Sequence, residues 1–194
     1  MIIGVAGYKG AGKDTVANVL QTNFGFKKMS FAQPIKDIVH STFGIDQAIL
    51  SGDGGEREFR EESLPGWFYL SPRDMLQKIG MAFRTELHKD VWIKILENKI
   101  KDIEQNIVIP DVRFKNELDM IKNHGFCVGV YRPGYNGDNH ASERGLDGVE
   151  LPKVFNNNGT HEMLHAQVYN YFKEKLKYEN NIWYWNKWFS RYSF

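Results

Sequence analysis

Cysteine is nearly absent: the 194-residue chain carries one, Cys127. A single thiol excludes any intrachain disulfide, and without a signal-peptide pattern the sequence reads as intracellular. No apolar run approaches the ~20 residues of a membrane span. An excess of one charge is also missing. Lys and Arg number 25 against 24 Asp and Glu, a formal net charge of +1, which argues against an electrostatic nucleic-acid binder. Internal repeats and low-complexity runs are absent, and His and Cys fall nowhere at metal-ligand spacing. The length suffices for one sizeable core with a small insertion or lid, and not for two full domains. A soluble cytoplasmic globule is the expectation.

What is present starts at residue 1. In MIIGVAGYKGAGKDT an apolar run of Ile2, Ile3, Val5 and Ala6 enters a turn holding Gly7, Gly10 and Gly12, and a helix-competent stretch opens at Lys13. Strand, glycine loop and helix in that order give a G-x-x-x-x-G-K pattern the meaning of a phosphate cradle. Glycines let main-chain N–H groups approach a polyphosphate closely. The helix N-terminus adds donors and the positive end of its dipole, and the Lys13 ammonium can reach the β- and γ-phosphates. The usual Ser or Thr after the lysine, whose hydroxyl would hold Mg²⁺, is displaced by one: Asp14 intervenes and Thr15 follows. Asp14 is either an acid favoured in a helix's first turn or a contact to substrate or to the metal's water shell.

Helical spacing of Val16, Val19, Leu20 and Phe24 predicts a helix that Gly25 stops. Phe26 to Phe31 can form a strand, and a helix after Pro34, with Ile35, Ile38, Val39 and Phe43 on one face, ends at Gly44. Strand and helix in alternation predict a parallel sheet between helical layers, an α/β/α arrangement. Residues 45–70, rich in glycine and charge, break the rhythm and read as a surface loop or as a flap closing on an acceptor. Ser71-Pro72 opens the next helix with a cap and a first-turn proline. Arg73 there is a solvated charge or a fork for a monophosphate. A further helix is expected over Asp90 to Glu104.

Ile107, Val108 and Ile109 form a buried strand with Asp111 at its C-terminal end, the edge where open parallel sheets bind ligands. A carboxylate there orients Mg²⁺, often through water, or the attacking oxygen. Arg113 can aim at a transferring or accepting phosphate. After a helix from Phe114 to His124 and a strand from Phe126 to Tyr131, residues 132–150 form a polar insertion. It is an exposed loop or a lid over ATP, with Arg132 at its hinge and Arg144 inside. His140 and Glu143 lie in the same segment. A strand ending at Val154-Phe155 leads into Asn156 to Thr160, a turn that frames adenine or is ordinary turn chemistry. Residues 178–194 concentrate Trp183, Trp185 and Trp188 among further aromatics. Packing on the body or on a second subunit suits them better than stacking on bases.

GYKGAGKDT, AQPIKD, PRDMLQKIG, IPDVRFKNELD, YRPG with His140-x-x-Glu143, and NNNGTHEML occur in the order of the phage-type deoxynucleoside monophosphate kinases, which the chain resembles from Met1 to about Leu176. The D-x-R segment is also similar to animal-type phosphomevalonate kinase, and the N-N-G-T turn to dephospho-coenzyme A kinase. The resemblance implies a three-layer P-loop fold, with a kinase domain over 1–177, an acceptor-binding insertion at 45–70, a lid at 132–150 and an extension at 178–194. It implies phosphoryl transfer from ATP to a deoxynucleoside monophosphate with Mg²⁺, in the cytoplasm, a host's if the chain is phage-encoded.

Under that resemblance Gly7, Gly10, Ala11, Gly12, Lys13, Asp14 and Thr15 bind ATP, with Arg132, Arg144 and Asn157 on the same side. Lys36, Arg73 and Arg113 grip the acceptor. Lys13, Asp14, Asp111 and Arg113 carry catalysis, and Thr15 and Asp111 attend the metal. Related small-molecule kinases and a nucleotide-binding regulator without catalysis are the alternatives, with a homodimer through the tail left open.

Overall fold

The central strand is β1 (Ile2–Ala6), buried along its whole length. The computed structural model describes residues 1–52, 56–136 and 145–192, with side chains to Lys177. The chain forms two compact units, one of Met1–Lys28 with Gln105–Phe194 and one of Met29–Glu104.

In the first unit β1 leads into α1 (Lys13–Phe24), β2 (Lys27–Lys28), β3 (Ile107–Val112), α6 (Lys115–His124), β4 (Gly125–Tyr131), β5 (Val154–Asn156) and α7 (His161–Tyr192). The five strands are ordered β2-β3-β1-β4-β5 and every pairing is parallel. Ile2 and Ile3 lie opposite Ile107 and Val108 on one side and Gly125 and Phe126 on the other. Strands buried on both faces read as near-continuous apolar runs, as β1 and β3 do.

Alternate residues serve opposite layers. Ile3 and Val5 pack with Val16, Ala17, Val19 and Leu20 of α1 and Leu164, Val168 and Phe172 of α7. The other face of β1 is met by α6: a Cβ on Gly4 would lie 3.2 Å from Ile121 Cγ2 and 3.1 Å from Cys127 Sγ. Helices on both faces of a parallel sheet make this an α/β/α three-layer fold. Aromatic rings tie α7 down, with Phe24 and Tyr169 centroids 5.6 Å apart and Phe155 and Phe172 6.2 Å apart.

The second unit holds α2 (Gln33–Phe43), α3 (Gln47–Ser51), two 3₁₀ turns (Phe59–Glu61 and Pro65–Trp67), α4 (Pro72–Glu86) and α5 (Val91–Ile100). Val39, Leu50, Met75 and Leu76 are its core, packed by Ile35, Phe43, Leu64 and Trp67. Trp92 is buried and donates its indole N–H to the Gly80 carbonyl at 3.0 Å. Ser71 caps α4 reciprocally: its Oγ accepts from the Asp74 N–H at 3.1 Å, and Asp74 Oδ2 accepts from the Ser71 N–H at 2.9 Å.

Three elements differ from the sequence expectation. The second strand is two residues long, because Lys27 and Lys28 pair only with β3 and Ser30 Oγ then accepts the Ala32 N–H in a turn. The helix expected to reach Glu104 ends at Ile100, and Ile103 closes a turn onto the Ile100 carbonyl. The last helix runs unbroken to Tyr192, so the extension expected at 178–194 continues the same helix, since neither glycine nor proline follows Gly159. Among the described residues no helix is long and apolar enough to cross a membrane.

Burial pushes the Cys127 thiol up to about 12. Native protein at pH 8 is therefore expected to be silent toward the thiol reagent DTNB, and denatured protein to titrate one thiol per chain. Fast labelling of the native state contradicts that burial. The hydrogen bonds from the Ser71 side chain and backbone hold the Asp74 carboxyl below its ordinary value. Their stabilisation is present above the ordinary carboxylate pKa and is lost as pH falls through the depressed one. Ser71→Ala is expected to cost about 0.5–2 kcal/mol at pH 7, with a smaller difference from the parent in denaturant melts at pH 2.

Candidate active site

The loop between β1 and α1 is set by close backbone contacts. Gly7 (φ 148°) lies so near β4 that a Cβ would come within 2.5 Å of the Val130 carbonyl oxygen. Gly12 (φ 111°) is the N-cap of α1, and a Cβ there would fall 2.8 Å from Asn157 Nδ2. Both positive φ values and both close approaches demand glycine. Gly12 has no side chain to cap α1, and no side-chain cap hydrogen bond is made there. The Lys13 ammonium folds over the loop and donates to the carbonyls of Gly7 at 2.7 Å and Tyr8 at 2.9 Å. A glycine cradle, a helix start and an ammonium above them fit a polyphosphate.

Groups far apart in sequence meet this loop. Asn157 follows β5, donates Nδ2 to the Ala11 carbonyl at 2.9 Å and is anchored by its own N–H on the Tyr131 carbonyl at 2.7 Å. Arg132, just past β4, places Nη1 3.4 Å from the Gly10 carbonyl, and its guanidinium lies 4.4 Å from the Tyr135 ring centroid. The Tyr8 hydroxyl donates to Asp147 Oδ1 at 2.6 Å. Arg144, His140 and Glu143 lie outside the described residues.

Asp111 is half-buried near the end of β3, and its neighbour Val112 pairs with Ala6, the residue before the loop. Its carboxylate and the half-buried Thr15 hydroxyl are oxygen donors of the kind Mg²⁺ takes. The turn beyond Asp111 is held by Glu117, 2% exposed, whose Oε2 accepts from the N–H groups of Arg113 at 2.7 Å and Phe114 at 3.1 Å. Glu117 was not singled out by sequence reasoning. A glutamate in the first turn of a helix is the pattern that could have flagged it.

Asp14 is exposed and pairs with Lys28 of β2 at 2.9 Å. Its carboxylate is thus engaged by a lysine that the sequence reading did not consider. In the second unit Lys36 donates Nζ to Ser51 Oγ at 3.0 Å, and Arg73, 9% exposed in the first turn of α4, has Nη1 3.8 Å from Glu61 Oε1. Among the described residues no group of His, Cys, Asp and Glu forms a metal cluster of its own.

The sequence matches the deoxynucleotide monophosphate kinase family over residues 1–66 and 67–168. A protein of Acanthamoeba polyphaga mimivirus, provisionally named a deoxynucleotide monophosphate kinase, is 32% identical over 184 residues, spanning 87% of this chain and 94% of its own. The deoxynucleoside-5′-monophosphate kinase of Escherichia phage T5 is 25% identical over 183 residues, 64% of this chain and 73% of its own. Among solved structures, the shikimate kinase of Aquifex aeolicus aligns over 91% of this chain and 98% of its own, at 14% identity and a TM-score of 0.47. With the family match extending over most of its length, the chain belongs to the deoxynucleotide monophosphate kinase family.

Proposed function

We propose that the protein transfers the γ-phosphoryl group of ATP to the 5′-phosphate of a deoxynucleoside monophosphate, releasing ADP and a deoxynucleoside diphosphate. Membership in the family and the glycine loop capped by Lys13 support this reading, and the loop is the observation that carries it.

The loop from Gly7 to Thr15, including Gly10 and Ala11, is assigned to the ATP phosphates. Lys13 would exchange its two carbonyl partners for β- and γ-phosphate oxygens and neutralise charge as it shifts to the leaving ADP. Arg132, Arg144 and Asn157 are assigned to the ATP side. Thr15 and Asp111 would hold Mg²⁺, directly or through water, and that ion supplies charge neutralisation on the phosphates when bound. The Lys28 pair speaks for a first-turn structural role of Asp14 over one at the metal.

Lys36, Arg73 and Arg113 are assigned to the acceptor monophosphate. The acceptor oxygen is already anionic at neutral pH, so no general base is required, and positioning with charge neutralisation carries the reaction. Glu117 acts through the backbone: by fixing the N–H groups of residues 113 and 114 it sets where the Arg113 side chain leaves the chain. ADP release from Mg-ATP with each deoxynucleoside and ribonucleoside monophosphate in turn tests the proposal. Acceptor-dependent release with a deoxynucleotide supports it, and release only with phosphomevalonate or dephospho-coenzyme A replaces it.

Lys13→Met is expected to lower kcat by about 10²–10³-fold while circular dichroism stays unchanged. Undiminished turnover removes the loop from the mechanism. Arg113→Ala is expected to lower kcat/KM for the acceptor about a hundredfold while shifting ATP affinity by less than about threefold. Equal losses on both substrates would move Arg113 to the donor side.

A further inference from the structure

Three residues of the loop between β1 and α1 are tied to the segments that follow β4 and β5. Asn157 Nδ2 donates to the Ala11 carbonyl at 2.9 Å, Arg132 Nη1 lies 3.4 Å from the Gly10 carbonyl, and the Tyr8 hydroxyl donates to Asp147 Oδ1 at 2.6 Å. Arg132 stands where the chain leaves β4 at Tyr131, and Asp147 stands on the way back to β5 at Val154. The outgoing and returning limbs of the 132–150 insertion therefore both meet one short loop, at residues 10 and 8.

Each limb is held locally. On the outgoing side the Tyr135 N–H donates to the Arg132 carbonyl at 3.2 Å, and the Tyr135 ring supports the guanidinium 4.4 Å from its centroid. On the returning side the Val149 N–H donates to the Leu146 carbonyl at 3.1 Å, closing a turn in which Gly148 has φ 75°. Asp147 sits in that turn beside the residue best suited to such a φ. Tyr8 is fixed through its backbone: its carbonyl accepts from the Ala11 N–H at 3.1 Å and from the Lys13 ammonium at 2.9 Å. One residue thus meets the lysine assigned to the ATP phosphates with its carbonyl and the insertion with its hydroxyl.

Resting on the ATP assignment above, we propose that Tyr8 and Asp147 are a positioning pair for the nucleotide. Their hydrogen bond docks the returning limb of the insertion on the loop and so keeps the loop and Arg132 in the arrangement that receives ATP. The bond is exposed, and as a contact it is weak. Its effect comes through population: apparent affinity falls in proportion to the fraction of molecules in the binding-competent arrangement. A phenol held on a carboxylate keeps that fraction high before ATP arrives.

The pair is tested by the dissociation constant for ATP, titrated without acceptor, together with KM for the acceptor found in the nucleotide panel. Tyr8→Phe, which keeps the ring and removes the hydroxyl, and Asp147→Ala are each expected to weaken ATP binding about three- to tenfold, with acceptor KM changed less than about twofold. Asp147→Asn retains an oxygen that accepts from the hydroxyl and is expected to recover most of the loss. The double variant Tyr8→Phe/Asp147→Ala is expected to bind ATP no more weakly than either single one, a non-additivity that isolates the pair from whatever else each side chain touches. Parental ATP affinity in Tyr8→Phe, additive losses in the double variant, or acceptor KM rising in step with ATP as Tm falls overturns the pair and leaves the kinase reading intact. A parent that binds no ATP overturns the ATP assignment and the pair together. A parent that binds ATP but transfers to no deoxynucleotide overturns the kinase reading alone, and the titrations still decide the pair.

Discussion

The constraint on which the loop between β1 and α1 depends is steric: backbone packed against its neighbours with no room for a side chain. Gly7 rests on the Val130 carbonyl of β4, and Gly12 rests on the Asn157 amide beyond β5. These contacts lock the loop to strands that the chain reaches more than a hundred residues later. The backbone of the loop is therefore positioned by the sheet, and the loop's own hydrogen bonds add to a shape already imposed. A larger residue at either glycine would push the loop off its support as well as adopt a disfavoured φ.

Sheet order explains why the remaining groups gather there. The chain leaves β1 for β2 and β3 on one side, then crosses to β4 and β5 on the other. At such a reversal neighbouring connections diverge and open a crevice at the carboxyl ends of the strands. Asp111, Arg132 and Asn157 each sit at or just beyond the end of a strand on that edge, one from β3, one from β4 and one from β5. Parallel pairing brings equivalent strand ends together, so residues scattered along the sequence become neighbours without any local motif linking them.

The division between legible and illegible features follows from range. The β1, loop and α1 succession was readable because its signals, an apolar run, three glycines and a 3.6-residue period, lie within a few turns of chain. The stops at Gly25 and Gly44 and the cap at Ser71 were readable for the same reason, each being a local backbone requirement. The two-residue length of β2 was not, since it depends on how much of β3 stands opposite. Nor was the partner of Asp14, since Lys28 comes near only through the turn at Gly25 and the pairing of β2. The continuous last helix was legible in principle from the missing breakers, but the change to aromatic composition suggested a boundary where the backbone has none.

The posture of Lys13 has a consequence for the shape of the loop. Its ammonium donates to the carbonyl oxygens of Gly7 and Tyr8, neutral partners that hold the side chain in place without cancelling its charge. The first residue of α1 thus reaches back across the turn and ties down the backbone at its entrance. The side chain that brings charge to the loop is also one of the struts that keep the loop folded.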